Sequence, residues 1–440
     1  MTGLALAILV FALMLLSIFL RMPIGLAMLT AGALGTWYVS GTWVPILATL
    51  KSTTYGTFSS YSLSVVPLFL LMGQFATKGG MSEALFKAAS AFLGHRRGGI
   101  AIAAVGACAG FGAICGSSLA TAATMANVAL PEMRKHKYSG ELAAGCLAAG
   151  GTLGILIPPS VILVIYAVLT EQNILKMFTA AIVPGILAAA GYMLTIAIYV
   201  RLKPDAAPKL DRVDRYERFQ TILRIWPVVA IFGLVIGGIY FGLFTPTEGA
   251  AVGALGVGFL AWKAGNLGWV ELKDCLLSTA VSSAMIFFII LGAALFNTFL
   301  AFTQTPMLAA DWVASLQISP WLVLAVMLAS YLLMGCIMDS VSMILLTVPV
   351  FFPIITGLDF GLSPEETAIW FGILVLIVVE TGLITPPVGL NIFIIRTIAT
   401  DITLKQCYRG VIPFIMSDTI RVVLLLALPV LTLGLNRLIF

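Results

Sequence analysis

Glycine and hydroxyl-bearing residues interrupt two long apolar segments of the chain. Segment 99–131 contains GAICGSS at 112–118, and segment 320–353 contains GCIMDSVS at 335–342. Backbone that leaves a helix presents N–H and C=O groups without intrahelical partners. In a membrane, unwound carbonyls and hydroxyl oxygens suit a small hard cation such as Na⁺. We therefore predict a cation site at these interruptions, with Asp339 as a candidate carboxylate ligand.

Consecutive prolines mark a second pair of interruptions, within GTLGILIPPS at 151–160 and TGLITPPVG at 381–389. Proline removes a backbone donor and clashes with the preceding helical turn, and the residue before it is pushed out of the helical region. We expect each span to be two half-helices joined by an unwound loop. The residues that we assign to these loops and to an adjoining substrate pocket are Pro158, Pro159, Ser160, Ser342, Pro386, Pro387 and Asn391.

Each of these features also has a purely structural explanation. Gly112 and Gly116 have the spacing of a close helix–helix contact. Asp339 would then only hydrogen-bond the local backbone, and each proline pair would only kink a continuous helix. Glu380 precedes the second proline pair. A carboxylate in the bilayer needs a partner or a cation, so Glu380 either joins the site or braces the scaffold.

The composition excludes a water-soluble protein, because 60% of the 440 residues are apolar and 10% are charged, against about 25% charged in soluble domains. The excess of positive charge lies in short loops, which indicates membrane topology and no nucleic-acid partner. With two His, no C-x-x-C and no phosphate-binding loop, we expect no enzyme, no transition metal and no cofactor. Arg396, Asp418 and Arg421 lie near predicted span ends, where snorkelling or ion pairing is expected.

The apolar runs divide into two similar halves. Ser118 and Pro131 recur at one offset as Ser340 and Pro353, so we infer an internal duplication. The polar stretch 201–224 lies between the halves. The predicted repeats are 1–200 and 225–440, and the predicted apolar runs are 4–20, 24–40, 61–77, 99–131, 141–168, 177–200, 225–243, 247–264, 281–300, 320–353, 368–395 and 411–436.

The charges of equivalent loops predict that the two halves are inverted. The loop 134–137 is basic, whereas its equivalent, 357–367, contains no Lys or Arg. Since basic loops stay in the cytoplasm, we predict an inverted-topology repeat. Segment 99–131 then forms a re-entrant hairpin from the cytoplasm and 320–353 one from the periplasm. Ten full crossings complete the prediction, with 201–224 as a cytoplasmic loop and both termini in the periplasm.

Three segments resemble the large membrane subunit of the tripartite ATP-independent periplasmic (TRAP, DctM-like) transporters: FGAICGSSLATAATMANVALPEM, AAGGTLGILIPPSVILVIY and ETGLITPPVGLNIFII. The resemblance implies an all-α polytopic fold of the ion-transporter superfamily. It implies an elevator mechanism, in which a domain bearing both hairpins slides against a scaffold. The unwound helices are those at 141–168 and 368–395. It also implies Na⁺-coupled uptake of organic acids, usually carboxylates, across the bacterial inner membrane. The implied partners are a small four-helix membrane subunit and a periplasmic substrate-binding protein.

The resemblance also implies where Na⁺ binds. In the family, the sites form between each hairpin tip and the neighbouring unwound loop. Carried over to this chain, the implied ligands are Gly116, Ser117, Ser118, Thr152, Gly154, Asp339, Ser340, Gly382 and Thr385. Many relatives carry Asn where this chain has Val378.

We expect 4–77 and 177–264 to supply most of the scaffold. The alternative is a stand-alone Na⁺- or H⁺-coupled carboxylate transporter or exchanger.

Inversion predicts the side from which two introduced cysteines react. In a background without the six native cysteines, a membrane-impermeant maleimide should label Arg212→Cys from the cytoplasmic side and Gly361→Cys from the periplasmic side. Labelling of both cysteines from the same side would contradict an inverted repeat.

Overall fold

The computed structural model describes residues 3–315 and 318–440, and this part of the chain is helical, with no strand. Two single 3₁₀ turns, at Ser62–Ser64 and Pro204–Ala206, accompany the α-helices. The α-helices are α1 Gly3–Phe19, α2 Ile24–Ser40, α3 Val44–Phe58, α4 Val65–Lys78, α5 Met81–Leu93, α6 Gly99–Cys115, α7 Ser118–Lys135, α8 Gly140–Leu156, α9 Val161–Leu169, α10 Ile174–Leu202, α11 Arg215–Tyr240, α12 Pro246–Lys263, α13 Trp269–Phe302, α14 Thr305–Ser315, α15 Pro320–Gly335, α16 Ser340–Thr356, α17 Pro364–Gly382, α18 Leu390–Ile398, α19 Leu404–Ala427 and α20 Val430–Ile439.

Both glycine- and serine-containing segments are broken helices. Between α6 and α7, Gly116 has φ +63°, a conformation that glycine adopts without steric penalty. Ser117 follows in an extended conformation and caps α7, because its side chain accepts a hydrogen bond from the Ala120 N–H. Between α15 and α16, Asp339 caps α16 in the same way through the Ser342 N–H.

The proline pairs interrupt helices as well. Residues 157–160 separate α8 from α9, whose axes differ by 46°, and residues 383–389 separate α17 from α18. Ser160 caps α9 by accepting a hydrogen bond from the Leu163 N–H. Both proline pairs therefore lie in loops between separate helices and do not merely kink continuous helices.

Several helices lie outside the predicted apolar runs. The polar stretch 201–224 is non-helical only at its centre: α10 continues to Leu202 and α11 starts at Arg215, where Asp214 caps it. The basic region 78–97 contains α5, and α3 has no counterpart among the predicted runs. Of these helices, α5 is amphipathic, and a helix with only one apolar face escapes a search for continuous apolar residues.

The helices suit a polytopic membrane protein. By length and composition, α10, α11, α13 and α19 can each cross a bilayer, and two bent pairs, α3 with α4 and α8 with α9, would raise the number to six. Six further apolar helices in the described part of the chain have 10–17 residues. A helix of 17 residues is about 25 Å long, which is less than the ~30 Å thickness of the hydrocarbon core. The ten membrane crossings therefore stay a prediction.

Two helix bundles make up the molecule. In one bundle α2 packs against α13, and α4 packs against α12. In the other, α6, α7 and α8 pack together with α10, α18 and α19. We expect 177–264 to belong to a scaffold. The helix α10 packs mainly against α8, α19 and α20, and its Thr179 also lies beside Tyr240 of α11, so the scaffold partition stays a prediction. Tyr192 and Ile196 of α10 are buried.

Equivalent glycines allow equivalent close contacts in the two halves. In the first half, a Cβ on Gly112 would overlap the Cα of Gly154. In the second half, a Cβ on Gly382 would lie 2.7 Å from the Cα of Gly335. In each half, therefore, the first hairpin helix touches the end of the broken helix directly, backbone against backbone.

Alanine substitution tests these contacts. We expect Gly112→Ala and Gly382→Ala to destabilise the protein by about 1–3 kcal/mol, because the added methyl group has no space. The measurement is the thermal unfolding midpoint of the purified protein in detergent. Gly233→Ala in α11 is the control, since nothing lies within 4 Å of its Cβ position, and it should not lower the midpoint. Equal midpoints for all three variants would refute the close packing.

Candidate functional site

A single buried carboxylate joins the two hairpin interruptions. Glu380 lies in the last turn of α17 with no exposed surface. Its Oε1 accepts a hydrogen bond from Ser340 Oγ at 2.7 Å, and its Oε2 accepts one from Ser118 Oγ. Ser118 and Ser340 are the first residues of α7 and α16. Because helix N-terminal ends carry partial positive charge, this position favours a negative group.

A second polar cluster lies beside the first. The side chains of Asp418 and Arg421 form a buried ion pair on α19, with 2.9 Å between Oδ1 and Nη2. Asp418 Oδ2 accepts hydrogen bonds from Tyr192 Oη at 2.8 Å and from Thr381 Oγ1 at 3.3 Å. Asp418 and Arg421 are thus buried in the bundle, and of the two expectations for them ion pairing applies and snorkelling does not.

The first hairpin tip lies directly against α8. A Cβ on Gly154 would be 2.7 Å from Thr121 Oγ1 and 3.0 Å from the Ser117 carbonyl oxygen. Gly116 approaches the start of α9, with the Val161 N 3.7 Å from its Cβ position. The structure therefore brings three of the predicted ligand residues, Gly116, Ser117 and Gly154, into one small region.

Thr152 has a different set of partners. Its hydroxyl group donates to the Ala149 carbonyl at 2.7 Å and lies 3.0 Å from Tyr192 Oη. Through Tyr192, Thr152 connects to Asp418 and not to Ser117 or Ser118. The hydroxyl of this predicted ligand therefore belongs to the second polar cluster.

At the second tip, Asp339 bonds its own helix. It accepts hydrogen bonds from the Ser342 N–H at 3.1 Å and from Ser342 Oγ at 2.5 Å. The tip also contacts the neighbouring loop, where the Gly389 N–H donates to the Cys336 carbonyl at 3.2 Å. Asp339 therefore has the structural role that was the alternative to a ligand role. The ligand role is compatible with it, because each carboxylate oxygen has a further lone pair.

The two proline loops differ in exposure. Pro158, Pro159 and Ser160 are buried, whereas Pro386 and Pro387 are exposed. Thr385, in the exposed loop, donates its hydroxyl proton to the Thr381 carbonyl at 2.6 Å. The exposed loop can meet a solute in this arrangement of the helices, and the pocket role assigned to both loops stays a prediction.

Asn391 is fully buried on α18 and links the two halves. Its Nδ2 donates to the Ala148 carbonyl of α8 at 3.1 Å, and its Oδ1 has no hydrogen-bond partner. A buried acceptor without a partner is costly. We predicted Asn391 as a pocket residue, and the structure places it between α8 and α18 instead of at an exposed surface.

The chemistry of this region is that of oxygen atoms. Among the described residues, no group of three or more His, Cys, Asp or Glu side chains converges. Carbonyl and hydroxyl oxygens surround single carboxylates, a donor set that suits an alkali cation.

The sequence indicates one of the contacts at this centre and gives no signal for another. Opposite charges three residues apart in an apolar helix, as in Asp418 and Arg421, predict a pair on one helix face. The equivalence of Ser118 and Ser340 was visible, but nothing in the sequence showed that both bond Glu380.

Comparison with known proteins identifies the family. Residues 10–431 match the model of the "Tripartite ATP-independent periplasmic transporter, DctM component". A C4-dicarboxylate TRAP transporter large permease protein of Pseudomonas aeruginosa is 37% identical over 87% of each chain. A protein of the same description from Rhodobacter capsulatus is 31% identical over 98% of this chain and 99% of its own. The sialic acid TRAP transporter large permease protein of Vibrio cholerae is 30% identical over 87% of this chain and 88% of its own.

A solved structure supports the fold. The crystal structure of the Alcanivorax borkumensis YdaH transporter matches with a TM-score of 0.64 and 16% identity, covering 87% of this chain and 88% of that one. At this identity the likeness concerns the fold alone. The relatives named above are transporter permeases and not enzymes. The chain therefore belongs to the DctM component family of the tripartite ATP-independent periplasmic transporters.

Proposed function

We propose that this chain is the large permease subunit of a Na⁺-coupled transporter that imports organic acids across the bacterial inner membrane. The observation that carries the proposal is the Glu380 carboxylate between Ser118 and Ser340, since it joins the two tips where the cation ligands are expected. Relatives named for C4-dicarboxylates and for sialic acid both concern carboxylate-bearing solutes. We extend that substrate class to this chain.

Two ion pairs support inverted halves. Arg134, after the first hairpin, pairs with Asp401, which follows the second broken helix. Glu365, after the second hairpin, pairs with Lys176, which follows the first broken helix. Each hairpin exit thus lies beside the broken-helix exit of the other half. A re-entrant hairpin returns to the side of the membrane from which it entered, whereas a broken helix crosses the membrane. Oppositely oriented halves would therefore bring each hairpin exit beside the broken-helix exit of the other half.

The division into bundles supports an elevator mechanism. Ser118 lies on α7 and Asp418 on α19, and both helices pack against α8. The helix of Glu380, α17, contacts α8 and α19 and also α16, which carries Ser340. Glu380, its two serine partners and Asp418 could therefore move as one body against the bundle of α2, α4, α12 and α13. In this mechanism the Na⁺ gradient supplies the energy, and the cations bind to the tips together with the organic acid.

The proposal includes two partners, a small four-helix membrane subunit and a periplasmic substrate-binding protein. Proteoliposomes containing the chain and the small subunit should accumulate radiolabelled succinate only with an inward Na⁺ gradient and the binding protein. An equal K⁺ gradient is the control. Uptake by this chain alone would instead favour the stand-alone transporter, and uptake driven by a proton gradient without Na⁺ would contradict Na⁺ coupling.

The role of Asp339 can be separated from its capping role. Asp339→Asn keeps a side-chain oxygen that can cap α16 but removes the negative charge. We expect the Na⁺ concentration for half-maximal uptake to rise by about tenfold, with little change in the unfolding midpoint. Asp359→Asn is the control, because Asp359 also accepts a backbone N–H but lies in an exposed loop. An unchanged Na⁺ requirement in Asp339→Asn would remove Asp339 from the site.

A further inference from the structure

The two predicted cation sites differ in charge. The first consists of neutral oxygens, and the ligands assigned to it are Gly116, Ser117, Ser118, Thr152 and Gly154. In the described part of the chain, Glu380 is the carboxylate that hydrogen-bonds to one of these ligands, Ser118. The same carboxylate bonds Ser340, an assigned ligand of the second site. One negative charge therefore touches both sites.

We propose that Glu380 is the shared counter-charge of both cation sites and the residue that positions one hydroxyl ligand in each. This inference rests on the proposed Na⁺ coupling. Glu380 acts through Ser118 and Ser340 and is therefore a positioning residue, with no direct contact to the transported acid required.

The charges around Glu380 support this role. Asp418 and Arg421 pair with one another, and their side chains are 2% and 5% exposed. Among the described residues, no Lys, Arg or His nitrogen forms an ion pair with Glu380. The Asp418–Arg421 pair carries no net charge, and the Glu380 carboxyl group has two hydroxyl donors and, in the described part of the chain, no cationic side chain in an ion pair with it. An unpaired buried carboxylate is costly, and a monovalent cation beside Ser118 or Ser340 would offset that cost.

The hydrogen bonds also set the orientation of both hydroxyl groups. Ser118 Oγ and Ser340 Oγ each donate their proton to the Glu380 carboxylate. Their lone pairs then face away from the carboxylate and are free to coordinate a cation. Because the two serines begin α7 and α16, a cation that moves one tip also changes the hydrogen bonds at the other. Such coupling is reciprocal.

Asp339 does not provide this link. Its carboxylate bonds Ser342 of its own helix, so it can influence only the second site. Loss of the Glu380 charge should weaken both sites, whereas loss of the Asp339 charge should weaken one. The two residues therefore differ in the number of cation sites that each carboxyl group serves.

The test measures Na⁺-dependent stabilisation of the purified full-length chain. The unfolding midpoint is recorded against NaCl concentration, with choline chloride holding the ionic strength constant. We expect Glu380→Gln to raise the half-effective Na⁺ concentration by at least about tenfold. Glu365→Gln is the matched control, because Glu365 lies on the same helix with its side chain 51% exposed, and it should follow the wild-type curve.

The serines provide the second set of variants. Ser118→Ala and Ser340→Ala should each raise the half-effective Na⁺ concentration, and the double variant should approach Glu380→Gln. A folded Glu380→Gln with the wild-type Na⁺ curve would overturn the inference. If Glu380→Gln does not fold, a wild-type Na⁺ curve in the double serine variant would overturn it equally.

The result also separates this inference from the proposed function. A wild-type protein without any Na⁺-dependent shift would overturn Na⁺ coupling and the inference together. A Na⁺-dependent shift that survives in Glu380→Gln would overturn only the role of Glu380 and leave Na⁺-coupled transport in place.

Discussion

A carboxylate that is removed from water must be surrounded by donors or by positive charge, and the centre of this molecule is arranged around that requirement. Glu380 is fully buried, and the two hydroxyl groups that donate to it come from opposite halves of the chain. Neither half could satisfy this group by itself. The requirement therefore holds the two helix interruptions together at one point.

The interruptions can reach that point because other contacts stabilise them first. Ser117 and Asp339 cap the helices that follow, so the backbone leaves and re-enters helical geometry without losing all its hydrogen bonds. Gly112 against Gly154, and Gly335 against Gly382, let backbones touch. A larger side chain at these contacts would separate each tip from its broken helix and withdraw the serines from Glu380.

Transport requires a site whose polar groups are satisfied in more than one arrangement. Here the helices that carry these polar groups are connected through α8 and α17, and one contact between the two bundles, α4 against α6, joins two largely apolar helices. Apolar contacts are not directional, so they permit sliding at lower cost than hydrogen bonds would. The buried pair of Asp418 and Arg421 stays within its own helix, and its partners would travel with it.

Features that depend on local chemistry can be read from the amino-acid sequence. Apolar composition indicates a membrane protein, Gly116 with Ser117 and the two proline pairs break helices where they stand, and the repeated residues predict a duplication. The tertiary structure decided which distant groups meet: Glu380 with Ser118, Thr152 with Tyr192, and α10 with the hairpin bundle. Helix breaks follow from a few neighbouring residues, whose steric and capping preferences act within one turn. Contacts between residues hundreds of positions apart follow from the packing of all helices at once, which no local pattern contains.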